Sequence, residues 1–253
     1  MKKRYLKIVI LLVTLSFIST SCKELQKMVS MEVTPAQKQV IYNKAKSLKF
    51  KKIKKIRKSS TNRQTLKKGQ WVTYLTEMKA ADKDVTLTTV RVIKVSRGTV
   101  ILETETLSAS KNNEPTITQV TYRNYPTRQK LSYTGKSHRK IFRNVKIVRM
   151  RTKSGNDQVR EVPQQILAMG TMGSKNLSQV RSGRLIAKSY ATKYIKTKRC
   201  YSYNYNVSVA GFTDSGSVYA HSSVPILGYI KVMSGSADMT VISFGYRGAR
   251  SKM

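Results

Sequence analysis

The feature that most constrains the fold is a series of short runs rich in β-branched residues, which recurs from Gln70 to Tyr246. The runs VTLTTVRVIKV and TVILETETL are separated by SRG, which predicts a hairpin turn with Gly98 at positive φ. Short strands joined by tight turns favour an antiparallel sheet over parallel βαβ units. We therefore predict a mainly β fold built on an antiparallel sheet.

Two segments predict short helices. Thr34 suits the N-cap position and Pro35 the first helical position, and Pro163 opens a second segment in a similar way. The first segment has an apolar face at helical spacing. The second has three apolar residues before two glycines end it. These residues are Ile41, Ala45, Leu48, Ile53 and Ile56 in the first segment, and Ile166, Leu167 and Met169, followed by Gly170 and Gly173, in the second.

Residues 1–21 have the composition of an export signal. The start, MKKRYLK, is basic, and a short apolar run extends from Ile8 to Ile18. A membrane-spanning helix needs about 20 apolar residues, so this run is too short to cross a bilayer. A secretory signal, in contrast, has a basic start, a short apolar core and small residues at its cleavage point. We therefore predict that the protein is exported.

The residues after the apolar run resemble the signal of a bacterial lipoprotein, because Ser19, Thr20 and Ser21 precede Cys22. The resemblance implies cleavage between Ser21 and Cys22 and acylation of Cys22. Two or more acyl chains give a stable membrane anchor, so the resemblance places the protein in the outer membrane, at its periplasmic face or at the cell surface. Ser19 stands where such signals usually have leucine, which leaves an ordinary secretory signal beside a cysteine as the alternative.

These patterns divide the chain into four parts. Residues 1–21 are a signal peptide, 22–34 a lipidated tether, 35–68 a basic linker that is either helical or extended, and 69–253 a single β-rich domain. A β-rich domain of this length commonly has one sizeable core. The sequence leaves the oligomeric state open.

The chain is strongly basic. Four of its 49 basic residues and none of its 12 acidic residues lie in residues 1–21, so the rest of the chain has a formal charge of +33. Such a charge indicates which partners the protein can bind, but not which fold it adopts. Export disfavours nucleic acid, so we expect anionic lipid head groups or an acidic envelope glycan as the partner. The alternative is that the charges are simply solvated.

Six cations lie close together in the segment KKIKKIRK. As part of an amphipathic helix on a membrane surface, each would gain about 1 kcal/mol near an anionic leaflet, with Ile53 and Ile56 below the charges. The alternative is a solvated spacer. The predicted membrane-surface contacts are Lys51, Lys52, Lys54, Lys55, Arg57 and Lys58.

The last strands of the C-terminal half contain a recurring pattern of small residues, proline and glycine. Its residues are Ser222, Val224, Pro225, Gly228, Ile230, Lys231 and Gly245. With this pattern, the C-terminal half resembles exported β-proteins of the bacterial envelope that are related to the lipoprotein-carrier fold. The resemblance implies a curved antiparallel sheet, or half-barrel, with one or two short helices and a hydrophobic concavity that holds an acyl chain. From the residues themselves, Ile226, Leu227 and Ile230 are predicted to pack in or beside the core, and Gly228 to mark a bulge or bend.

The stretch CYSYNYNV is predicted to be a strand in which Tyr201, Tyr203 and Tyr205 share one face. The tyrosines form either an aromatic platform for a lipid or sugar or one wall of the core. Cys200 lacks a disulfide partner if Cys22 is acylated, so we predict a buried free thiol.

The sequence contains no motif of a hydrolase elbow, a phosphate-binding loop or a zinc protease. His138 and His221 make no metal-binding pattern, and Asp214 and Asp238 are expected in turns. Glu103 and Glu105 form either an acid–base pair or part of a wet face. We predict a lipid-anchored, non-catalytic binding or interaction module without a cofactor, metal site or catalytic residues. The alternative is an envelope hydrolase that acts through such carboxylates.

Overall fold

A computed structural model describes residues 33–79, 83–111, 113–131, 144–165, 167, 184–186, 189–209 and 212–253. Cys22, the cleavage point at Ser21, and His138 lie outside the described residues, as do Ile166, Met169, Gly170 and Gly173 of the second predicted helix. Within the described ranges, no helix combines the length and apolar character needed to span a membrane.

The described chain is mainly β, with helix α1 at Pro35–Leu48. The strands are β1 Lys54–Ile56, β2 Gln64–Thr65, β3 Trp71–Met78, β4 Val85–Ser96, β5 Thr99–Ser108, β6 Pro115–Arg123, β7 Arg128–Gln129, β8 Lys146–Ser154, β9 Arg160–Glu161, β10 Arg184–Ile186, β11 Tyr190–Ala191, β12 Ile195–Thr197, β13 Cys200–Val209, β14 Phe212–Ala220, β15 Tyr229–Ser234 and β16 Ala237–Gly245.

The capping residues of α1 are those that the sequence predicts. The Thr34 hydroxyl accepts a hydrogen bond from the Gln37 N–H at 3.3 Å, and the Gln37 side chain accepts one from the Thr34 N–H at 2.8 Å. This reciprocal arrangement satisfies donors that the first helical turn leaves free. At the other end, the Lys49 N–H donates to the Ala45 carbonyl. Only the start of the second predicted helix lies among the described residues; there, residues 164, 165 and 167 are helical and the Leu167 N–H donates to the Pro163 carbonyl.

Eleven strands form one open, curved sheet in the order β10-β13-β14-β15-β16-β3-β4-β5-β6-β8-β9. Every neighbouring pair in this sheet is antiparallel. Gly98 has φ +73° at the β4–β5 hairpin, which confirms the turn prediction. The mainly β, curved antiparallel fold predicted above is therefore confirmed.

Two apolar clusters stabilise the sheet. The larger cluster includes Val72, Val92 and Met150 on the main strands, and it is closed by side chains from outside that sheet, among them Ile56, Leu66, Leu131, Val224 and Ile226. The smaller cluster lies under α1, where Ile41 and Ala45 pack with Leu75, Leu87 and Ile242. Residues 35–68, predicted as a linker, thus contribute to both clusters. The reason is that Ile41, Ile56 and Leu66 are apolar side chains that become buried in these clusters.

The region around the last two strands confirms the packing predictions. Ile226 and Ile230 are buried and Leu227 packs against the larger cluster. Gly228 has φ +73° and immediately precedes β15, whose pairing with β14 begins with a register shift. The expected turns at Asp214 and Asp238 are wrong, because these residues lie in β14 and β16. Alternation in the neighbouring residues outweighs the turn preference of a single aspartate.

Candidate functional site

The six predicted membrane contacts lie in the segment from residue 51 to residue 58, here called the basic segment. Helix α1 ends at Leu48, and Lys49 takes an extended conformation with φ −63° and ψ 160°. Lys51 and Lys52 form a bend, and β1 follows. The predicted amphipathic helix is therefore wrong beyond Leu48, because the chain leaves the helix to pair with another strand.

The start of the basic segment is fixed to the rest of the protein. The Phe50 N–H donates to the Ile242 carbonyl at 3.3 Å, and the Phe50 ring packs edge-on against Phe244 with ring centroids 5.2 Å apart. Further along the chain, the Lys54 N–H donates to the Tyr194 carbonyl at 2.9 Å. Residues 51–53 therefore form a short turn between two anchored positions.

Strand pairing fixes the second half of the segment. Strand β1 pairs in parallel with β12, which aligns Lys55 with Lys196 and Ile56 with Thr197. Ile56 and Thr197 are buried, whereas Lys55 and Lys196 are exposed. The pairing thus places cations of two distant segments side by side on one surface.

His221 holds the end of the segment. Its Nδ1 accepts a hydrogen bond from the Ser223 N–H at 3.0 Å, so the proton of the neutral ring lies on Nε2. Nε2 donates to the Lys58 carbonyl at 3.0 Å. His221 is completely buried, and burial lowers its pKa below 6.5 although the bond to Lys58 opposes this. The ring is therefore neutral near pH 7, as this pair of bonds requires.

All six cations of the basic segment are exposed. None of them has an ion-pair partner among the described residues, whose salt bridges lie elsewhere. The Lys54 ammonium lies 5.6 Å from the centre of the Phe50 ring. Further exposed cations surround β12, which makes this surface strongly positive; they are Lys193, Lys196, Lys198 and Arg199.

The carboxylates of Glu103 and Glu105 lie in a network rather than on a wet face. Glu103 is completely buried. It accepts hydrogen bonds from the Ser251 hydroxyl at 2.6 Å, the Lys252 N–H at 3.0 Å and the Gln119 amide at 3.1 Å. The wet-face interpretation is therefore wrong for Glu103, because the C-terminal residues cover it.

Glu105 is bound by two cations, Arg91 and Lys252, the latter at 2.7 Å. Burial alone would raise the pKa of Glu105, but the hydrogen bonds from Lys252 and Arg91 outweigh it and lower the pKa. A general acid needs a raised pKa, whereas the pKa of Glu105 is lowered. The pair is suited to holding the C-terminal residues on the sheet.

The tyrosine strand contributes to the core. Tyr203 is buried in the larger cluster, and Tyr201 and Tyr205 are partly buried against it. Cys200 is a buried free thiol whose pKa is raised by burial. The core-wall interpretation and the thiol prediction are confirmed.

Sequence reasoning missed two contributors, the His221 bond to Lys58 and the cover of Glu103 by Ser251 and Lys252. Both contacts join positions that lie far apart in the sequence, and no local pattern indicates them. Among the described residues, no group of three or more histidine, cysteine, aspartate or glutamate side chains could hold a metal ion.

No family model and no curated protein matches this chain. Among solved structures, the chain is similar to the hypothetical protein CT021 from Chlamydia trachomatis, with 7% identity, a TM-score of 0.40 and coverage of 76% of this chain and 96% of that one. It is also similar to a candidate lipoprotein from Parabacteroides distasonis, with 10% identity, a TM-score of 0.30 and coverage of 74% and 100%. At these TM-scores, neither likeness carries an argument about fold or function.

Proposed function

We propose that the protein is an exported, lipid-anchored component of the cell envelope that works as a non-catalytic binding or interaction module. Acylated Cys22 attaches it to the membrane. The basic segment then contacts an anionic surface and orients the folded domain on it. The observation that carries this proposal is the fixed, exposed set of six cations without ion-pair partners among the described residues.

The dimensions of the chain allow both contacts at once. Val33 is already buried in the smaller cluster, so only residues 23–32 connect Cys22 to the fold. A fully extended chain of this length reaches about 35 Å. Helix α1 has 14 residues, which corresponds to a length of about 21 Å. An anchored domain can therefore turn its basic segment, beyond the far end of α1, towards the head groups.

Charge makes this orientation favourable. Each lysine or arginine near an anionic leaflet contributes about 1 kcal/mol, and the attraction extends about 10 Å at moderate salt. Because the backbone of the basic segment is held by the fold, its cations lose less conformational freedom on binding than those of a loose spacer.

A binding role on the outer surface fits better than the predicted hydrophobic concavity. Such a concavity would open onto the apolar face of the sheet. Among the described residues, side chains from outside the sheet, including Leu66, Leu131 and Ile226, are themselves buried in the larger apolar cluster with the strands. The alternative of a hydrolase is less favoured for a similar reason, because Glu103 is buried beneath Ser251 and Lys252.

Flotation with vesicles tests the proposal. The chain that begins at Lys23 lacks the anchor but keeps every residue of the described fold. We expect it to float with anionic vesicles and not with neutral ones, and to be released by added salt. Equal flotation with both kinds of vesicle would contradict the proposal.

The anchor has its own test. Cells that express the full chain and take up a labelled fatty acid should label the protein. The Cys22→Ala variant should lose the label, and added salt should release it from the membrane fraction but leave the acylated protein bound. A Cys22→Ala variant that keeps the label would show that the anchor lies elsewhere.

A further inference from the structure

The turn that begins the basic segment exposes apolar side chains as well as cations. Ile53 is 54% exposed and Leu48, the last residue of α1, is 40% exposed. Large hydrophobic side chains that are exposed occur at only five described positions, and two of them border this turn. Lys49, Lys51 and Lys52 lie between them in the sequence and are exposed too. Single exposed aliphatic residues are common, but here two are next to a run of exposed lysines.

The fold keeps these two side chains out of the core. Phe50, between them, turns inward onto Phe244, and Ile56, further along the segment, is buried. The backbone bonds of Phe50 and Lys54 hold both ends of the turn. Ile53 therefore projects from an anchored turn, and rotation of the turn cannot bury it without breaking those bonds.

We propose that the partner of this surface is a lipid bilayer, and that Leu48 and Ile53 enter the acyl region beneath the head groups that the cations bind. The inference rests on the proposed function and specifies its partner. An acidic glycan offers charges to Lys51 and Lys52 but no apolar phase for the two aliphatic side chains. A bilayer offers anionic head groups at its surface and an apolar acyl region directly beneath them. Lysine side chains can keep their ammonium groups at the head-group level while their methylenes lie lower.

The affinity of the anchor-free chain gives the first test. Burial of an aliphatic side chain is favourable in proportion to the apolar area removed from water, and Leu48 and Ile53 still expose about half of their surface in the folded protein. The double variant Leu48→Ser with Ile53→Ser should bind anionic vesicles about tenfold more weakly. The matched control is Val40→Ser with Val159→Ser, which removes two aliphatic side chains that are 50% and 42% exposed elsewhere. This control should bind as the unmodified chain does.

Depth measurement on the full chain gives the second test. An environment-sensitive fluorophore is attached at Ile53→Cys in a Cys200→Ser background, and at Val159→Cys as the control position; the background without a new cysteine reports any label at Cys22. In anionic vesicles, the probe at position 53 should shift to the blue and be quenched by nitroxides on acyl chains. The probe at position 159 should remain accessible to iodide in water.

The outcomes separate this inference from the proposed function. If the probe at position 53 stays accessible to iodide while the unmodified anchor-free chain still floats with anionic vesicles, the basic surface binds head groups only and the insertion is overturned. A blue shift with a soluble acidic polysaccharide, without vesicles, would identify a glycan and also overturn it. Absence of flotation would instead overturn the proposed function.

Discussion

At the scale of single residues, His221 connects the turn before β15 to the basic segment. Its two ring nitrogens bond the Lys58 carbonyl and the Ser223 N–H, which lie in separate parts of the chain. Protonation would place a hydrogen on Nδ1, and Nδ1 could then no longer accept the bond from Ser223. The position of the cations therefore depends on a neutral histidine.

The stability of the fold should fall as the pH is lowered through this titration. The pKa of His221 is below 6.5 in the folded protein, so the unfolded chain binds the proton more readily. Its contribution to stability is thus complete above about pH 6.5 and is lost as the pH falls towards the lowered pKa. Urea midpoints of the unmodified chain should decrease between pH 7.5 and 5 more than those of His221→Gln. Parallel decreases would contradict this role of His221.

Glu103 is the second residue on which a distant contact depends. Glu103→Gln keeps the size of the side chain but removes the charge that pairs with the Arg91 guanidinium at 3.6 Å. The same charge strengthens the hydrogen bonds from Ser251, Lys252 and Gln119. Loss of one partner in a buried ionic network commonly costs about 3 kcal/mol. We expect a loss of about that size in the free energy of unfolding, measured in urea. As a control, Glu161→Gln removes an exposed pair with Arg149, and its urea midpoint should stay close to that of the unmodified chain, because exposed ion pairs contribute little to stability.

At the scale of elements, strand β15 and the turn before it contain two side chains that are buried to different extents. The loss of stability on truncation should follow the extent of burial. Ile230 is completely buried in the larger cluster, whereas Leu227 only packs against it and keeps part of its surface exposed. Ile230→Ala should therefore cost about 2–5 kcal/mol, and Leu227→Ala distinctly less. Thermal and urea unfolding of the two variants would measure this order, and a larger loss for Leu227→Ala would contradict it.

Elements that depend on local pattern could be predicted from the sequence, and elements that depend on distant partners could not. The Thr34 cap, the turn at Gly98 and the strand alternation of β3 to β6 all follow from neighbouring residues. The parallel pairing of β1 with β12 joins Lys55 to Lys196, and no property of KKIKKIRK indicates that partner. The charge of the segment could therefore be predicted, but not the strand that fixes it.

At the scale of the whole molecule, the distribution of charge is uneven. The described carboxylates of Glu105, Glu161 and Asp238 already pair with cations outside the basic segment. The six cations at residues 51–58 have no such partner among the described residues, and our proposal assigns them to an external one. A folded domain held to a membrane by Cys22, with this surface fixed on one side, would present the same side to the bilayer each time it approaches.

One comparison tests this central claim most directly. Two anchor-free variants each replace five lysines and one arginine by glutamine, so both lose the same charge. The first changes the six cations of the basic segment. The second changes six exposed cations elsewhere, which are Lys67, Lys68, Lys83, Lys94, Arg97 and Lys146.

Binding of the two variants to anionic vesicles is measured over a range of salt concentrations. Our account predicts that the first variant loses most of its binding and most of its salt dependence, whereas the second stays close to the unmodified chain. Equal losses in both variants would show that total charge alone attracts the protein, and would contradict a dedicated membrane-facing surface at residues 51–58.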